Sequence, residues 1–266
     1  MLSISIVVYQ FDGKQLGQLL DSLVDAVDIL EKNAEKNLLY IIDNNDQLDQ
    51  LQSLITSKIN NTFIVKIFSG HGNIGYGKGH NLAIKETPAK YHLILNPDVQ
   101  IQRNCLKTGL EVLSLNEDIY AVFPDVENTS GMREYLIRDY PNIVDFLIRG
   151  FGLGKLRIFE KRMSKFDQRK TNQLVDVTSV KIISGCFMLC KMDVLRKTGG
   201  FDNRYFLYFE DYALSLEIGK YGKLAYVPSM KIIHHGGGAA RKGIRHIYYF
   251  IRSAATFFNQ YGWKII

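Results

Sequence analysis

Tyr91-His92-Leu93-Ile94-Leu95-Asn96-Pro97-Asp98-Val99 is an apolar run that halts at a proline and then offers a single carboxylate. Pro97 lacks the N–H that a sheet ladder needs, so it ends a buried strand rather than extending it. Asp98 thereby stands beyond a strand's end, where open α/β sheets bind their ligands. Asn-Pro-Asp is also good turn chemistry, so the meaning of Asp98 depends on what surrounds the run.

Three comparable runs precede it. Residues 4–9 are apolar and mostly β-branched, as in a strand buried on both faces. Leu16, Leu19, Leu20, Leu23, Val24, Val27 and Leu30 then recur at helical spacing. Residues 38–42 are a second apolar run, ending in Asp43-Asn44-Asn45-Asp46, and Leu48, Leu51, Leu54 and Ile55 share one face of a second helix. Phe63–Phe68 reads as a third strand, and a glycine-rich loop opens a short helix over 79–85. With 91–95 as the fourth strand, strand and helix alternate through the first 98 residues, which predicts an α/β fold with a mostly parallel sheet flanked by helices.

Downstream the pattern loosens. Residues 106–115 read as a helix and 120–124 as a strand, while 125–178 read as irregular and basic, including Ile148-Arg149-Gly150-Phe151-Gly152-Leu153-Gly154-Lys155. Residues 180–190 read as one strand, and 194–197 begin a short helix stopped by Gly199-Gly200. A helix over 212–221 is expected to close at Gly222. A short strand over 224–227 stops before Pro228, and a basic, aromatic helix covers 243–262.

With 266 residues and 46% apolar content, the chain can bury a core without disulfides or a structural metal. Its cysteines, Cys105, Cys186 and Cys190, are sparse and lie among apolar residues, which suits reduced thiols and a cytoplasmic location. The opening residues lack a basic segment before their short apolar run, so no secretory leader is expected. The formal charge of +6 suits anionic partners: a nucleotide diphosphate, a lipid diphosphate or an anionic membrane face. No nucleic-acid motif accompanies the charge, and nucleic acid is not expected as a partner.

Five stretches carry residues suited to chemistry. Asp43 ends the second strand, where it accepts hydrogen bonds from a base or ribose, or caps the next helix. The loop Gly70-His71-Gly72-Asn73-Ile74-Gly75-Tyr76-Gly77-Lys78-Gly79-His80-Asn81 lets backbone approach a ligand closely. It contains a G-x-G-x-x-G, but after the third strand rather than the first, and it nearly spells a P-loop, with Gly79 where a hydroxyl belongs. Ser184-Gly185 heads an apolar run. Glu210-Asp211 follows the aromatics Tyr205 to Phe209, as a helix start or as a base in a dry pocket. His234-His235 precedes three glycines, and a neutral imidazole is a common metal ligand.

The order of these elements resembles the family 2 inverting glycosyltransferases of the GT-A fold, over residues 3–238. That resemblance rests on Ile6-Val7-Val8-Tyr9, Asp43-Asn44-Asn45, the glycine loop ending at Asn81, Leu95-Asn96-Pro97-Asp98, Ser184-Gly185, Phe209-Glu210-Asp211 and His234 before glycines. Asn-Pro-Asp in place of Asp-x-Asp, together with residues 133–141, is similar to rhamnosyltransferases of bacterial surface polysaccharides such as O-antigen. Those enzymes move L-rhamnose from dTDP-L-rhamnose to N-acetylglucosamine on undecaprenyl diphosphate.

The resemblance implies a glycosyltransferase domain over 1–240, with a nucleotide-binding half (1–98) and a mixed acceptor and catalytic half (99–240), followed by a basic aromatic helical segment (241–266). It implies that Tyr9, Asp43, Asn73, Gly75, Gly77, Asn81, Asn96, Asp98 and Gly185 line the nucleotide-sugar site. Asp98 and His234 would hold Mg2+ or Mn2+, with His235 competing for that place. Asp211, paired with Glu210, would be the catalytic base of a single inverting displacement. Asn96 departs from the pattern, leaving one carboxylate in the motif. A UDP-sugar donor, or a nucleotide-sugar-binding protein without catalysis, are the rival readings. The basic, aromatic stretches 133–170 and 245–263 suit peripheral attachment to the inner face of a plasma membrane.

Overall fold

The computed structural model describes residues 1–30, 36–59, 61–150, 153, 156–236 and 243–264. The first half follows the alternation. Strand β1 (Leu2–Val8) is buried throughout. Helix α1 (Gly13–Asp28) is capped by Asp12, whose carboxylate accepts the N–H groups of Lys14 and Gln15 at 2.8 and 3.1 Å. Its leucine face, Leu16, Leu19, Leu20 and Leu23, is fully buried. Then come β2 (Asn37–Asp43), α2 (Leu48–Lys58), β3 (Phe63–Phe68), α3 (Tyr76–Glu86) and β4 (Tyr91–Leu95). These four strands run parallel in the order β3-β2-β1-β4.

The second half extends the same sheet with mixed directions. Its elements are β5 (Val99–Ile101), α4 (Cys105–Leu115), β6 (Ile119–Asn128), β7 (Ile137–Arg138), α5 (Ile143–Gly150), α6 (Arg157–Phe166), β8 (Thr178–Val180), β9 (Ile182–Ile183), β10 (Phe187–Lys191), α7 (Met192–Thr198), α8 (Glu210–Ile218), β11 (Lys223–His234) and α9 (Ile244–Tyr261). Antiparallel β10 joins β4 to β6, then β11 lies parallel to β6 and antiparallel to β5 and β8. One hydrophobic core spans the sheet from β1 to β11. A second, aromatic cluster joins α5, the 205–212 segment and α9 through Phe146, Phe209 and Phe257.

Several boundaries differ from the sequence reading, each for a local reason. The run 180–190 is three short strands, because Gly185 spends its N–H on Asp211 and its carbonyl on Tyr76 instead of on a ladder. The last strand does not stop before Pro228. It continues to His234 through a register shift between Val227 and Lys231, a bulge where a residue without an N–H costs no ladder bond. The helix expected over 212–221 starts at Glu210 and ends at Ile218, with Gly219 as its cap; Gly222 instead lies against the Tyr120 ring, where a Cβ would come within 2.4 Å. Helix α3 begins at Tyr76 rather than at 79, and β1 ends before Tyr9. The stretch 125–178 holds β7, α5 and α6 rather than irregular chain. Phe151, Gly152, Gly154, Lys155, Gly237 and Gly238, and the start of the C-terminal segment at 241–242, lie outside the described residues.

Candidate active site

Because β1, β2 and β4 are parallel, their carboxyl ends share one edge of the sheet. The antiparallel register of β10 sets Phe187 opposite Leu95, which brings Ser184–Cys186 to that edge. The tail of β11 pairs His234 with Val99. Tyr9, Asp43, Asp98, Gly185 and His234 are thus gathered by topology, from positions spread over most of the chain.

The geometry gives the predicted site residues different surroundings. Asp43 is fully buried, and its carboxylate accepts from the N–H groups of Asn45 (3.0 Å) and Gln47 (2.6 Å) and from the Ser69 hydroxyl (3.0 Å). It braces the loop after β2; the helix cap itself is Gln47. Asn73 accepts from the N–H of Gly75. Gly75 has φ +91° and sits where a Cβ would lie 2.5 Å from the Phe206 carbonyl. Gly77 packs on Phe201 and Gly79 on Val7, so these two glycines seat α3 against its neighbours. Asn81 is buried, with its amide spent on both backbone groups of Phe201 (2.7 and 2.8 Å). It clamps the turn leading toward Glu210. Of the residues assigned to the nucleotide-sugar site, Tyr9 and Asn73 are exposed to solvent. Asn96 donates its N–H to the Cys186 carbonyl (2.9 Å).

Asp98 and His234 face each other. His234 Nε2 lies 3.6 Å from Asp98 Oδ1, too far for a hydrogen bond. That Oδ1 is buried without a hydrogen-bond partner. A Cβ on Gly236 would come within 2.5 Å of Asp98 Oδ2 and 2.7 Å of His234 Nε2, so glycine alone leaves this space open. An orphaned carboxylate oxygen, an imidazole nitrogen and a kept gap fit a divalent cation, since two ligands ~2.1 Å from one ion lie roughly 3–4 Å apart. Among the described residues no three His, Cys, Asp or Glu side chains gather as a metal cage. Of the paired histidines, His235 gives only its backbone N–H to the Asp98 carbonyl (2.8 Å), and His234 is the one that turns its ring to Asp98. Glu134, which sequence reasoning missed, accepts from or shares a proton with His234 Nδ1 at 2.9 Å.

Asp211 and Glu210 open α8 after Tyr208 and Phe209, which hold left-handed backbone at φ +70° and +66°. Two consecutive non-glycine residues there are strained by about 1–3 kcal/mol each. The packing of Phe209 on Phe146, Phe250 and Phe257 holds the conformation in place. Asp211 accepts the N–H groups of Gly185 and Tyr212, both at 2.9 Å. Burial pushes its carboxyl above the usual range, against those two hydrogen bonds. Glu210 is more deeply buried, its Oε2 has no hydrogen-bond partner, and its carboxyl is raised first by burial and then by the charge of Asp211. Asp211 is therefore the member of the pair better able to stay ionised, and Glu210 the one held neutral. The Tyr76 hydroxyl donates to the Gly185 carbonyl (2.6 Å) and is raised by burial, Glu210, Cys186, Asp211 and Asp98. The Cys186 thiol is pushed up to about 12 by burial and then by Asp98, Asp211 and Glu134. Gly185–Cys186 thus link Asp211, Tyr76 and the Asn96-Pro97-Asp98 turn through direct hydrogen bonds.

A sequence profile described as Glycosyl transferase family 2 matches residues 3–199. Rhamnosyltransferase WbbL of Escherichia coli (strain K12) is 26% identical over 199 residues, covering 70% of each chain. The N-acetylglucosaminyl-diphospho-decaprenol L-rhamnosyltransferase of Mycobacterium tuberculosis (strain CDC 1551 / Oshkosh) is 28% identical over 184 residues, or 64% of this chain and 59% of that enzyme. Among solved structures, S. aureus TarS 1–349 superposes with a TM-score of 0.56 at 14% identity, covering 88% of this chain and 60% of TarS 1–349. GalNAc-T7, crystallised with UDP, GalNAc and Mn2+, gives 0.58 at 15% identity, covering 89% and 44%. The chain spans less than two thirds of the mycobacterial enzyme and of both crystallised chains. The structures share the GT-A fold.

Proposed function

The chain belongs to glycosyl transferase family 2 and is a glycosyltransferase; on that premise we propose that it moves L-rhamnose from dTDP-L-rhamnose onto a glycan, with inversion, in bacterial surface polysaccharide synthesis. The observation that carries the reading is the meeting of the two halves at Ser184–Cys186: the Gly185 N–H goes to Asp211, and the Cys186 carbonyl accepts the N–H of Asn96, two residues before Asp98, which faces His234. The rhamnosyl donor is supported by the names of both curated relatives.

Asp211 takes the proton of the acceptor hydroxyl, and that oxygen attacks the anomeric carbon as the nucleoside diphosphate leaves from the opposite face. The Gly185 and Tyr212 N–H groups aim the carboxylate, and burial strengthens it as a base. Such general-base help supplies about 10²–10⁴-fold in rate. Asp98 and His234 would hold Mg2+ or Mn2+, which when bound would supply Lewis-acid stabilisation of the charge on the leaving group.

An acceptor linked to undecaprenyl diphosphate, met at the inner membrane face, is supported by α9. Ile244, Ile247, Tyr248 and Ile251 are 57–85% exposed at helical spacing i, i+3, i+4, i+7. Arg245 and Arg252 flank them, and no acidic residue follows Glu217 in the sequence. That combination suits shallow seating in an anionic surface. The opposite face of α9, through Phe257, packs on the aromatic segment that presents Asp211, which would set the base beside a membrane-borne acceptor. No helix among the described residues is long and apolar enough to cross a membrane.

The test is a donor panel of dTDP-L-rhamnose and UDP-sugars, with and without EDTA, scored by nucleoside diphosphate release and by calorimetric binding. Wild type is expected to release dTDP when given acceptor, and Asp211→Asn to lose at least 100-fold of that release with dTDP binding intact. Turnover of UDP-sugars alone overturns the donor. Near-normal transfer by Asp211→Asn overturns the base, and binding without turnover of any donor points to the non-catalytic alternative.

A further inference from the structure

The motif Asn96-Pro97-Asp98 leaves the cation site one carboxylate short, because the carboxamide of Asn96 brings no charge. The structure supplies an acid from elsewhere. After β6 the chain turns back on itself. The Glu134 N–H is bonded to the Val126 carbonyl at 2.8 Å, and the neighbouring Arg133 is paired with the buried Asp125 at 2.9 Å. These anchors bring the Glu134 carboxylate within 2.9 Å of His234 Nδ1, across 100 residues of sequence. The other ring nitrogen points at Asp98 Oδ1, 3.6 Å away. One imidazole therefore lies between two carboxylates, and all three groups are largely withdrawn from solvent.

We propose that Glu134 is a positioning residue for the cation site. It accepts the Nδ1–H of His234, which fixes the tautomer whose Nε2 lone pair faces Asp98, and it returns to the site the negative charge that Asn96 lacks. Outer carboxylates of this kind hold a ligating histidine in register and raise its basicity; removing them typically weakens metal binding by about 10–100-fold. The inference rests on the reading of Asp98 and His234 as a cation site. The local fold does not depend on the Glu134 carboxylate, since the backbone bond to Val126 and the Arg133–Asp125 pair remain when the side chain is cut back.

The experiment uses the full chain with Mn2+ and dTDP. Mn2+ affinity is read by EPR, and coordinated imidazole is read by its ¹⁴N coupling in pulsed EPR. Glu134→Ala is expected to weaken nucleotide-dependent Mn2+ binding by about 10–100-fold and to diminish or shift the ¹⁴N signal. Glu134→Gln, whose carboxamide oxygen still accepts from Nδ1, is expected to keep the signal with an intermediate affinity. His234→Ala is expected to lose the signal. Wild-type affinity and an unchanged ¹⁴N signal in Glu134→Ala, with loss in His234→Ala, overturn the role of Glu134 and leave the cation reading standing. Wild-type Mn2+ affinity in both alanine variants overturns the cation site itself.

Discussion

Gly236→Ala places one methyl group in the space between Asp98 and His234, and its consequences can be worked from the distances. The new Cβ would sit 2.5 Å from Asp98 Oδ2 and 2.7 Å from His234 Nε2, both far inside van der Waals contact. Gly236 is not in the left-handed region, so alanine adds no backbone strain there. The clash falls on the ends of two side chains, which relieve it by rotating away from each other. Overpacking of this kind costs about 1–3 kcal/mol, a Tm decrease of roughly 2–4 °C per kcal/mol for a chain of this size. The fold survives, but the carboxylate and the imidazole can no longer reach one ion. The assay is calorimetric titration of dTDP with and without Mn2+. Wild type should bind dTDP more tightly with Mn2+ present. In Gly236→Ala that increment should shrink by about 100-fold or vanish, while the metal-free affinity stays the same. A variant that keeps the full Mn2+ increment would refute the assignment of the gap to a cation.

Glu210→Gln tests the buried pair through pH. The folded-state pKa of Glu210 is raised to about 8 from an ordinary 4.5, so the folded chain holds this proton more tightly than the unfolded one. Its contribution to stability is full below 4.5 and is lost as pH climbs to about 8, at up to about 1.4 kcal/mol per pH unit. The Tm of Glu210→Gln should fall less than that of wild type across that window; parallel curves would remove the buried, neutral glutamate from the account. Ile247→Glu with Ile251→Glu alters only exposed positions of α9 and should weaken binding to phosphatidylglycerol vesicles by roughly 100-fold, from two isoleucines of about 1.5 kcal/mol each. Equal co-sedimentation of variant and wild type would detach the helix from the membrane reading.

The parallel half of the sheet is legible in the sequence because β1, β2 and β4 are buried on both faces and therefore read as unbroken apolar runs. The second half is less legible wherever backbone hydrogen bonds leave the ladder. Nothing in the residues 180–190 announces that the Gly185 N–H will go to a carboxylate 26 residues later, yet that bond splits the strand. Pro228 marks a bulge in a long strand, and in sequence a bulge and a strand end look alike. Glu134 is the clearest case on the functional side. Its role arises from a contact with His234 that no local pattern encodes. The glycines of the 70–79 loop illustrate the reverse. Their density suggests ligand contact, but Gly77 and Gly79 are occupied in letting α3 lie close to Phe201 and Val7.

The charge of the site bears on why a cation belongs there at all. Asp98, Asp211, Glu134 and Glu210 all lie close enough to Tyr76 or Cys186 to raise their pKa values. Among the described residues, Arg138 favours the charged form of Asp211, and its guanidinium is engaged by Asp167 and by the carbonyl of Ile137. A nucleoside diphosphate entering such a place meets carboxylates, and like charges at 4 Å repel by about 4 kcal/mol at an effective dielectric of 20. Holding Glu210 neutral removes one of those charges, and a divalent ion held by Asp98 would offset another. On this argument a metal-free diphosphate should bind better, not worse, when Asp98 is replaced by asparagine, whereas the Mn2+-bound one should bind worse. That inversion of sign is what a purely structural aspartate would not produce.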